Sequence, residues 1–224
     1  LQRSEADAIL ILGDLFEVWI GNDAQSDNFA MGVMSQLAQA AGHRSVALMV
    51  GNRDFLLSPA MLAAHGVMAL GDPALLTAFG QSFVLSHGDA LCLDDVDYQR
   101  FRLQVRAPDW QAAFMAKSRD ERALLARGLR DASEARKHTD QPVTFADADP
   151  LITTQWLKAF DAETLIHGHT HRPLTHRPAV AGAPARSERH VLSDWDLDGP
   201  APRAQVMQLH ATGITRTVPA GVRL

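Results

Sequence analysis

A single cysteine, Cys92, occurs among the 224 residues, and this scarcity excludes an internal disulfide bond. It is typical of a chain that works in a reducing compartment such as the cytosol. No apolar run approaches the ~18 consecutive residues of a membrane-spanning helix, so we expect no transmembrane anchor. Internal repeats and low-complexity tracts are also missing. The sequence therefore predicts one globular domain with room for an insertion.

Positive charge is also scarce. The chain has 21 Lys and Arg against 26 Asp and Glu, a net charge of −5, which argues against general nucleic-acid binding. Ten of the basic residues fall between positions 100 and 137 beside only five acids, so this stretch is basic and the remainder is strongly acidic. Two interpretations remain open. The stretch forms either solvated helix faces or a basic lid that meets an anionic substrate or membrane surface.

The sequence does contain alternating strand-like and helix-like segments. Short Val-, Ile- and Leu-rich runs predict buried strands at 8–12, 46–50, 83–85 and 164–166. A helix is predicted over 28–41, with Phe29, Val33, Leu37 and Ala40 on its apolar face and Gly42 as its C-cap. Further predictions are a helix from Ser58-Pro59, a hairpin around Gly80-Gln81, a helix after Asp149-Pro150, a polar loop over 175–189 and closing strands at 190–192, 204–209 and 214–218. The alternation indicates the α/β class.

A polar motif follows each of the four strands. Loops at the carboxyl ends of strands are where α/β proteins build sites, and imidazole, carboxylate and amide oxygen together bind divalent transition metals. We therefore predict a metal site for two ions, with His167 packed in the interior rather than ligating. The motifs are Gly13-Asp14-Leu15-Phe16-Glu17, Gly51-Asn52-Arg53-Asp54, Ser86-His87-Gly88-Asp89 and Gly168-His169-Thr170-His171.

In this order the motifs resemble those of the calcineurin-like metallophosphoesterase superfamily. Four segments resemble the UDP-2,3-diacylglucosamine hydrolase family in their amino-acid sequence: residues 13–21, 51–56, 86–95 and 166–173. The resemblance implies a sandwich of two β-sheets flanked by helices, with a helical cap inserted at 97–148. It also implies hydrolysis of the pyrophosphate bond of an acylated UDP-sugar, giving UMP and 2,3-diacylglucosamine 1-phosphate in lipid A biosynthesis.

The resemblance further implies a role for each motif residue. Asp14 would bridge two Mn²⁺ ions. The coordination of one ion would be completed by Asn52, His87 and His169, and His171 would be a ligand of the other. Asp14, Asn52 and His87 are the implied catalytic residues. The implied substrate-binding residues are Asn52, Arg53, Asp95, Ser133, Lys137 and His169.

Two of these substrate assignments have a basis in the residues themselves. The guanidinium fork of Arg53 suits phosphate, which favours a substrate contact over an exposed loop arginine. Asp95 has a competing interpretation as a carboxylate at a helix start.

One motif of the superfamily, Asp-x-His on the first strand, has no counterpart here, and the chain begins with Leu1 rather than Met. We therefore expect residues 1–224 to be a single, N-terminally truncated domain of an active enzyme. Another phosphoesterase of the superfamily and a metal-free binding scaffold are the alternatives. The implied lipid substrate predicts a monomer in peripheral contact with the cytoplasmic face of the Gram-negative inner membrane, with no nucleic-acid partner.

Overall fold

The computed structural model describes residues 1–2, 4–23, 28–137, 147–177, 182–219 and 222, without the side chains of 130–137. Two compact units divide the chain: Leu1–Leu70 with Asp95–Ala146, and Gly71–Asp94 with Asp147–Leu224. The elements are β1 (Ala8–Leu12), α1 (Asn28–Ala41), β2 (Ser45–Met49), α2 (Pro59–Ala64), β3 (Met68–Leu70), β4 (Ala74–Ala78), β5 (Gln81–Ser86), α3 (Val96–Arg106), α4 (Pro108–Met115), α5 (Arg119–Lys137), α6 (Pro150–Ala159), β6 (Thr164–His167), β7 (Thr175–His176), β8 (Glu188–Val191), β9 (Val206–His210) and β10 (Gly213–Thr217).

The first unit is built on a parallel sheet in the order β1-β2-β3. Strand β2 is apolar on both faces, as parallel strands are. Helix α1 buries Met34 and Leu37 in one core with Leu48. Ser58 caps α2 by accepting a hydrogen bond from the Met61 N–H at 3.2 Å, as the sequence predicted.

The apolar face of α1 differs from the prediction. The helix buries Ala30, Met34, Leu37 and Ala40, whereas Phe29 is 75% exposed. The predicted inward position of Phe29 is therefore wrong, and Val33 is only partly buried. The predicted and the observed apolar faces both have helical spacing. In the observed face, Met34 is the large buried side chain in place of Phe29.

Helices α3, α4 and α5 form the stretch that was predicted to be an insertion, so its helical structure is confirmed between 100 and 137. The name insertion is kept for these three helices, and their status as an insertion stays a prediction. Phe114 packs against Trp110 with ring centroids 5.0 Å apart, and Trp110 lies 6.1 Å from Phe55. Leu103 and Leu124 are instead exposed. The apolar residues of the insertion thus divide between its own interior and its surface. Among the described helices, none is long and apolar enough to cross a bilayer.

The second unit contains a five-stranded sheet in the order β4-β5-β6-β8-β7 and a β9–β10 hairpin. Strands β5, β6 and β8 are parallel, and the outer β4 and β7 are antiparallel to their neighbours. Helix α6 begins at the predicted proline, and Asp149 caps it by accepting hydrogen bonds from Leu151 and Ile152. Its Leu157 shares a core with Val84 and Leu165.

Two element boundaries in the second unit differ from the predicted ones. The β4–β5 turn is made by Phe79 and Gly80, which both have positive φ, so Gln81 begins the strand instead of completing the turn. The predicted loop over 175–189 begins with β7 and ends within β8. The mixed α/β class is confirmed.

Candidate metal centre

The two motifs of the first unit leave the same edge of its sheet. Strand β1 pairs with β2 in parallel, with Leu12 opposite Met49, so the loops after both strands begin side by side. The Asp14 carboxylate accepts a hydrogen bond from the Arg53 backbone N–H at 2.9 Å. The sequence therefore placed these two motifs correctly relative to each other.

Asp54 locks the two loops together, a role that the sequence reasoning missed. Its fully buried carboxylate accepts hydrogen bonds from the N–H groups of Gly51 at 2.6 Å, Leu15 at 2.8 Å and Asp14 at 3.4 Å. The signal was the fourth residue of Gly51-Asn52-Arg53-Asp54, an acid three residues after the glycine that follows β2. These bonds fix the backbone that carries Asp14.

The Arg53 side chain lies between two carboxylates. Its Nε is 3.6 Å from Asp14 Oδ2, and its guanidinium also pairs with Glu17. A cation held beside the candidate ligand Asp14 is placed to meet an anion there, while Glu17 occupies part of its hydrogen-bonding fork. Its contact with a substrate phosphate stays a prediction.

The two histidine motifs of the second unit also share a sheet edge. Strands β5 and β6 are parallel with Ser86 opposite His167, so His87 and His169 follow neighbouring strands. Their ring centroids lie 5.2 Å apart, and the Gly168 N–H donates to the His87 carbonyl at 2.9 Å. Desolvation, and then the neighbouring His87, lower the pKa of His169 to about 3. Its imidazole is therefore neutral near pH 7, the form that a metal ligand requires.

Backbone strain is concentrated at the candidate ligands. Among the described residues, five that are not glycine have positive φ, and three of them are Asp14 (54°), His169 (62°) and His171 (51°). Left-handed backbone costs such residues about 1–3 kcal/mol each and is characteristic of functional sites. A carboxylate and imidazoles held this way fit the chemistry of a divalent metal ion.

His167 is packed in the interior, as predicted, and its neighbours explain why. Its Nε2 lies 3.0 Å from a guanidinium nitrogen of Arg189, which also pairs with Asp147 at 3.0 Å. Burial, and then Arg189, lower the pKa of His167 to about 4, so it accepts the arginine's N–H as a neutral ring. The role of Arg189 could not be predicted, because its partners are 22 and 42 residues away in the chain.

His171 has a carboxylate neighbour that the sequence did not indicate. Its Nδ1 lies 3.8 Å from Asp194 Oδ2, and the Arg203 guanidinium grips the same carboxylate at 2.5–2.9 Å. Hydrogen bonds from Arg203 hold the pKa of Asp194 below its usual range. An ionised carboxylate beside a histidine is the partner that orients metal-binding imidazoles.

The remaining predicted site residues lie in a loop and on the helices α3 and α5. Asn52 lies in the loop after β2 and is partly exposed. Asp95 is the N-cap of α3 and accepts a hydrogen bond from the Tyr98 N–H at 3.0 Å, so the helix-start interpretation holds and a substrate role stays a prediction. Ser133 and Lys137 lie on α5, and their side chains are outside the described part.

Gly88 keeps the His87 loop close to His167. It has φ 112°, and a Cβ there would lie 2.6 Å from His167 Nδ1 and 3.1 Å from the Gly168 carbonyl oxygen. We expect Gly88→Ala to lower the free energy of unfolding by roughly 3 kcal/mol, through strained backbone and overpacking together. Gly80→Ala is the matched control, since its φ is 71° and a Cβ there meets nothing within 4 Å. Urea unfolding should give a smaller loss for Gly80→Ala, and equal losses would contradict the close approach.

Comparison with known proteins agrees with this geometry. The family model described as calcineurin-like phosphoesterase matches residues 1–173. The UDP-2,3-diacylglucosamine hydrolase of Bordetella pertussis is 40% identical over 196 residues, which cover 87% of this chain and 75% of that protein. The proteins of that name from Chromobacterium violaceum (42% over 193 residues, 86% of this chain and 78% of the relative) and Xanthomonas oryzae pv. oryzae (38% over 216 residues, 94% and 85%) are similarly close. The chain therefore belongs to the calcineurin-like phosphoesterase family and, within it, to the UDP-2,3-diacylglucosamine hydrolases.

Proposed function

We propose that this chain hydrolyses the pyrophosphate bond of UDP-2,3-diacylglucosamine in lipid A biosynthesis. Water forms a bond to the α-phosphorus and the bond from that phosphorus to the bridging oxygen breaks, which releases UMP and 2,3-diacylglucosamine 1-phosphate. The identity of 38–42% to relatives of that name, over at least 85% of the chain, carries the proposal.

We assign two Mn²⁺ ions to five residues that would hold them: Asp14, Asn52, His87, His169 and His171. Asp14 would be the ligand that both ions share. Asp14, His87 and His169 offer the carboxylate and imidazole atoms that such an ion requires. Bound divalent ions would supply Lewis acidity for the attacking water and for the charge that builds on phosphoryl oxygens.

Arg53 is assigned to the substrate pyrophosphate. Its guanidinium already faces the Asp14 and Glu17 carboxylates, so a phosphate group can replace Glu17 as the partner of the fork. Asp95, Ser133, Lys137, Asn52 and His169 complete the proposed substrate set. Helices α3 to α5, within 97–148, would receive the lipid.

Membrane contact is proposed through the same insertion. The stretch 100–137 has ten basic residues and five acids, while Leu103, Leu124, Leu125 and Leu129 are exposed on its surface. Basic helices with exposed leucines suit an anionic membrane surface. We accordingly place the protein, as a monomer, in peripheral contact with the cytoplasmic face of the inner membrane.

The deciding assay is Mn²⁺-dependent release of UMP from UDP-2,3-diacylglucosamine in detergent micelles. It should be run on this chain and on a version that also carries the superfamily's Asp-x-His strand, because residues 1–224 contain no counterpart of that motif. Activity that requires Mn²⁺ supports the proposal. A folded, extended protein that hydrolyses bis(p-nitrophenyl) phosphate but leaves the lipid intact would identify another phosphodiesterase. Absence of both activities together with absence of bound metal would identify a scaffold.

A further inference from the structure

Arg122 of α5 stands apart from the other basic residues of the insertion because its side chain faces inward. The residue is 2% exposed, although the insertion as a whole has the composition of a solvated surface. The two terminal nitrogens of this buried guanidinium have partners within the protein, while its Nε has none; leaving all its donors unpaired would cost several kcal/mol. Its partners therefore indicate what it is for.

Those partners belong to the end of the loop that begins with Asp14. The Arg122 guanidinium donates to the Ile20 carbonyl at 2.5 Å and forms a two-pronged pair with the Asp23 carboxylate, one prong being 2.9 Å. The hydrogen bonds from Arg122 hold the pKa of Asp23 below its usual value. Gly21 lies between these partners with φ 131°, and a Cβ there would overlap the guanidinium. The loop is thus shaped around this arginine.

The clamped segment is in turn attached to the Arg53 loop. The Trp19 N–H donates to the Arg53 carbonyl at 3.0 Å, and the Trp19 indole donates to Asn22 Oδ1 at 3.3 Å. The Asn22 amide then donates to Ser58 Oγ, the N-cap of α2, at 2.6 Å. A continuous set of short contacts therefore leads from α5 to the backbone of Arg53.

The start of α5 is independently fixed. Ser118 and Glu121 form a reciprocal pair in which the Ser118 N–H donates to Glu121 Oε2 at 2.8 Å and the Glu121 N–H donates to Ser118 Oγ at 3.3 Å. Arg122 follows directly in the first turn. Any movement of α5 would therefore pull on Ile20 and Asp23.

We propose that Arg122 is a positioning residue, whose buried guanidinium sets the distance between α5 and the Arg53 loop so that both bind the same substrate. The inference rests on the proposed function, because α5 carries the assigned substrate residues Ser133 and Lys137. It predicts an effect on substrate binding more than on metal binding, since Asp14 is held separately by the hydrogen bonds to Asp54.

The test compares Arg122→Ala, Arg122→Lys, Asp23→Ala and the double variant Arg122→Ala/Asp23→Ala in the full-length protein. Arg127→Ala is the matched control, because Arg127 is exposed on the same helix. Arg122→Ala should raise KM about tenfold with kcat within about threefold, and calorimetric Mn²⁺ affinity should stay within about twofold. Lysine should not restore KM, because the single nitrogen of an ammonium lacks the planar fork whose two nitrogens reach Ile20 and both Asp23 oxygens. In the Asp23→Ala background, the Arg122→Ala substitution should raise KM by a smaller factor than it does in the wild type.

Amide hydrogen exchange over 119–129 separates this inference from the proposed function. Exchange there should be faster in Arg122→Ala than in the wild type or Arg127→Ala, whatever the substrate is. A wild type that does not hydrolyse the lipid would overturn the proposed function, while faster exchange would still demonstrate the clamp. Normal hydrolysis with unchanged KM and exchange in Arg122→Ala would overturn the positioning role, as would equal losses of kcat and Mn²⁺ affinity.

Discussion

Replacing His169 with alanine is expected to lower kcat for UMP release at least about 100-fold. The imidazole follows β6 on a left-handed backbone with φ 62° and lies beside His87, 5.2 Å between ring centroids. Its lowered pKa of about 3 leaves the ring neutral under assay conditions, which a metal ligand requires. Alanine removes the imidazole that we propose as a metal ligand.

The measurement combines steady-state kinetics with metal content, because activity alone cannot distinguish a lost ligand from a disturbed loop. The His169→Ala protein should bind less Mn²⁺ after dialysis, as determined by elemental analysis, and should keep its circular dichroism spectrum. His210→Ala is the control, since this imidazole is exposed on β9. Full Mn²⁺ occupancy with normal turnover in His169→Ala would remove His169 from the metal assignment.

The positions of the candidate ligands could be predicted from the sequence because each depends on a local rule. Apolar runs predicted strands β1, β2, β5 and β6, and a polar residue just after a parallel strand must lie at its carboxyl edge. The positions of Asp14 and His87 could be predicted without identifying their distant partners. A local rule also predicted that a helix follows Asp149-Pro150, where α6 begins.

The surroundings of those ligands could not be predicted, because they depend on residues far apart in the chain. Asp54 meets Leu15 across 39 positions, and Arg122 meets Asp23 across 99. Composition made Arg122 one of ten equivalent basic residues, and only the fold distinguishes it. The predicted apolar face of α1 was wrong for a related reason. Helical spacing allows two adjacent apolar faces, and packing in the core selected the one that contains Met34.

Asp54 gives the second large expected effect, this time on stability. Replacing it with alanine leaves the N–H groups of Gly51, Leu15 and Asp14 without their acceptor in a buried place. Hydrogen bonds to a charged group are worth about 1.5–3 kcal/mol each, and buried unpaired donors add a desolvation cost, so we expect a loss of about 3–5 kcal/mol in unfolding free energy. Activity should fall as well, because the Asp14 and Arg53 loops are then no longer held to each other.

Urea unfolding of the metal-free protein is the appropriate measurement, since bound Mn²⁺ would add stability that depends on ligand affinity. Asp109→Ala provides the control: its carboxylate is exposed in the first turn of α4, and its removal should change the free energy by about 0.5 kcal/mol or less. Asp54→Asn keeps an acceptor oxygen but turns an amide N–H toward other donors, so it should fall between the two. If Asp54→Ala unfolded at the same urea concentration as Asp109→Ala, the two motif loops would have to be held by some other interaction. The fixed position of Asp14 would then need a different explanation.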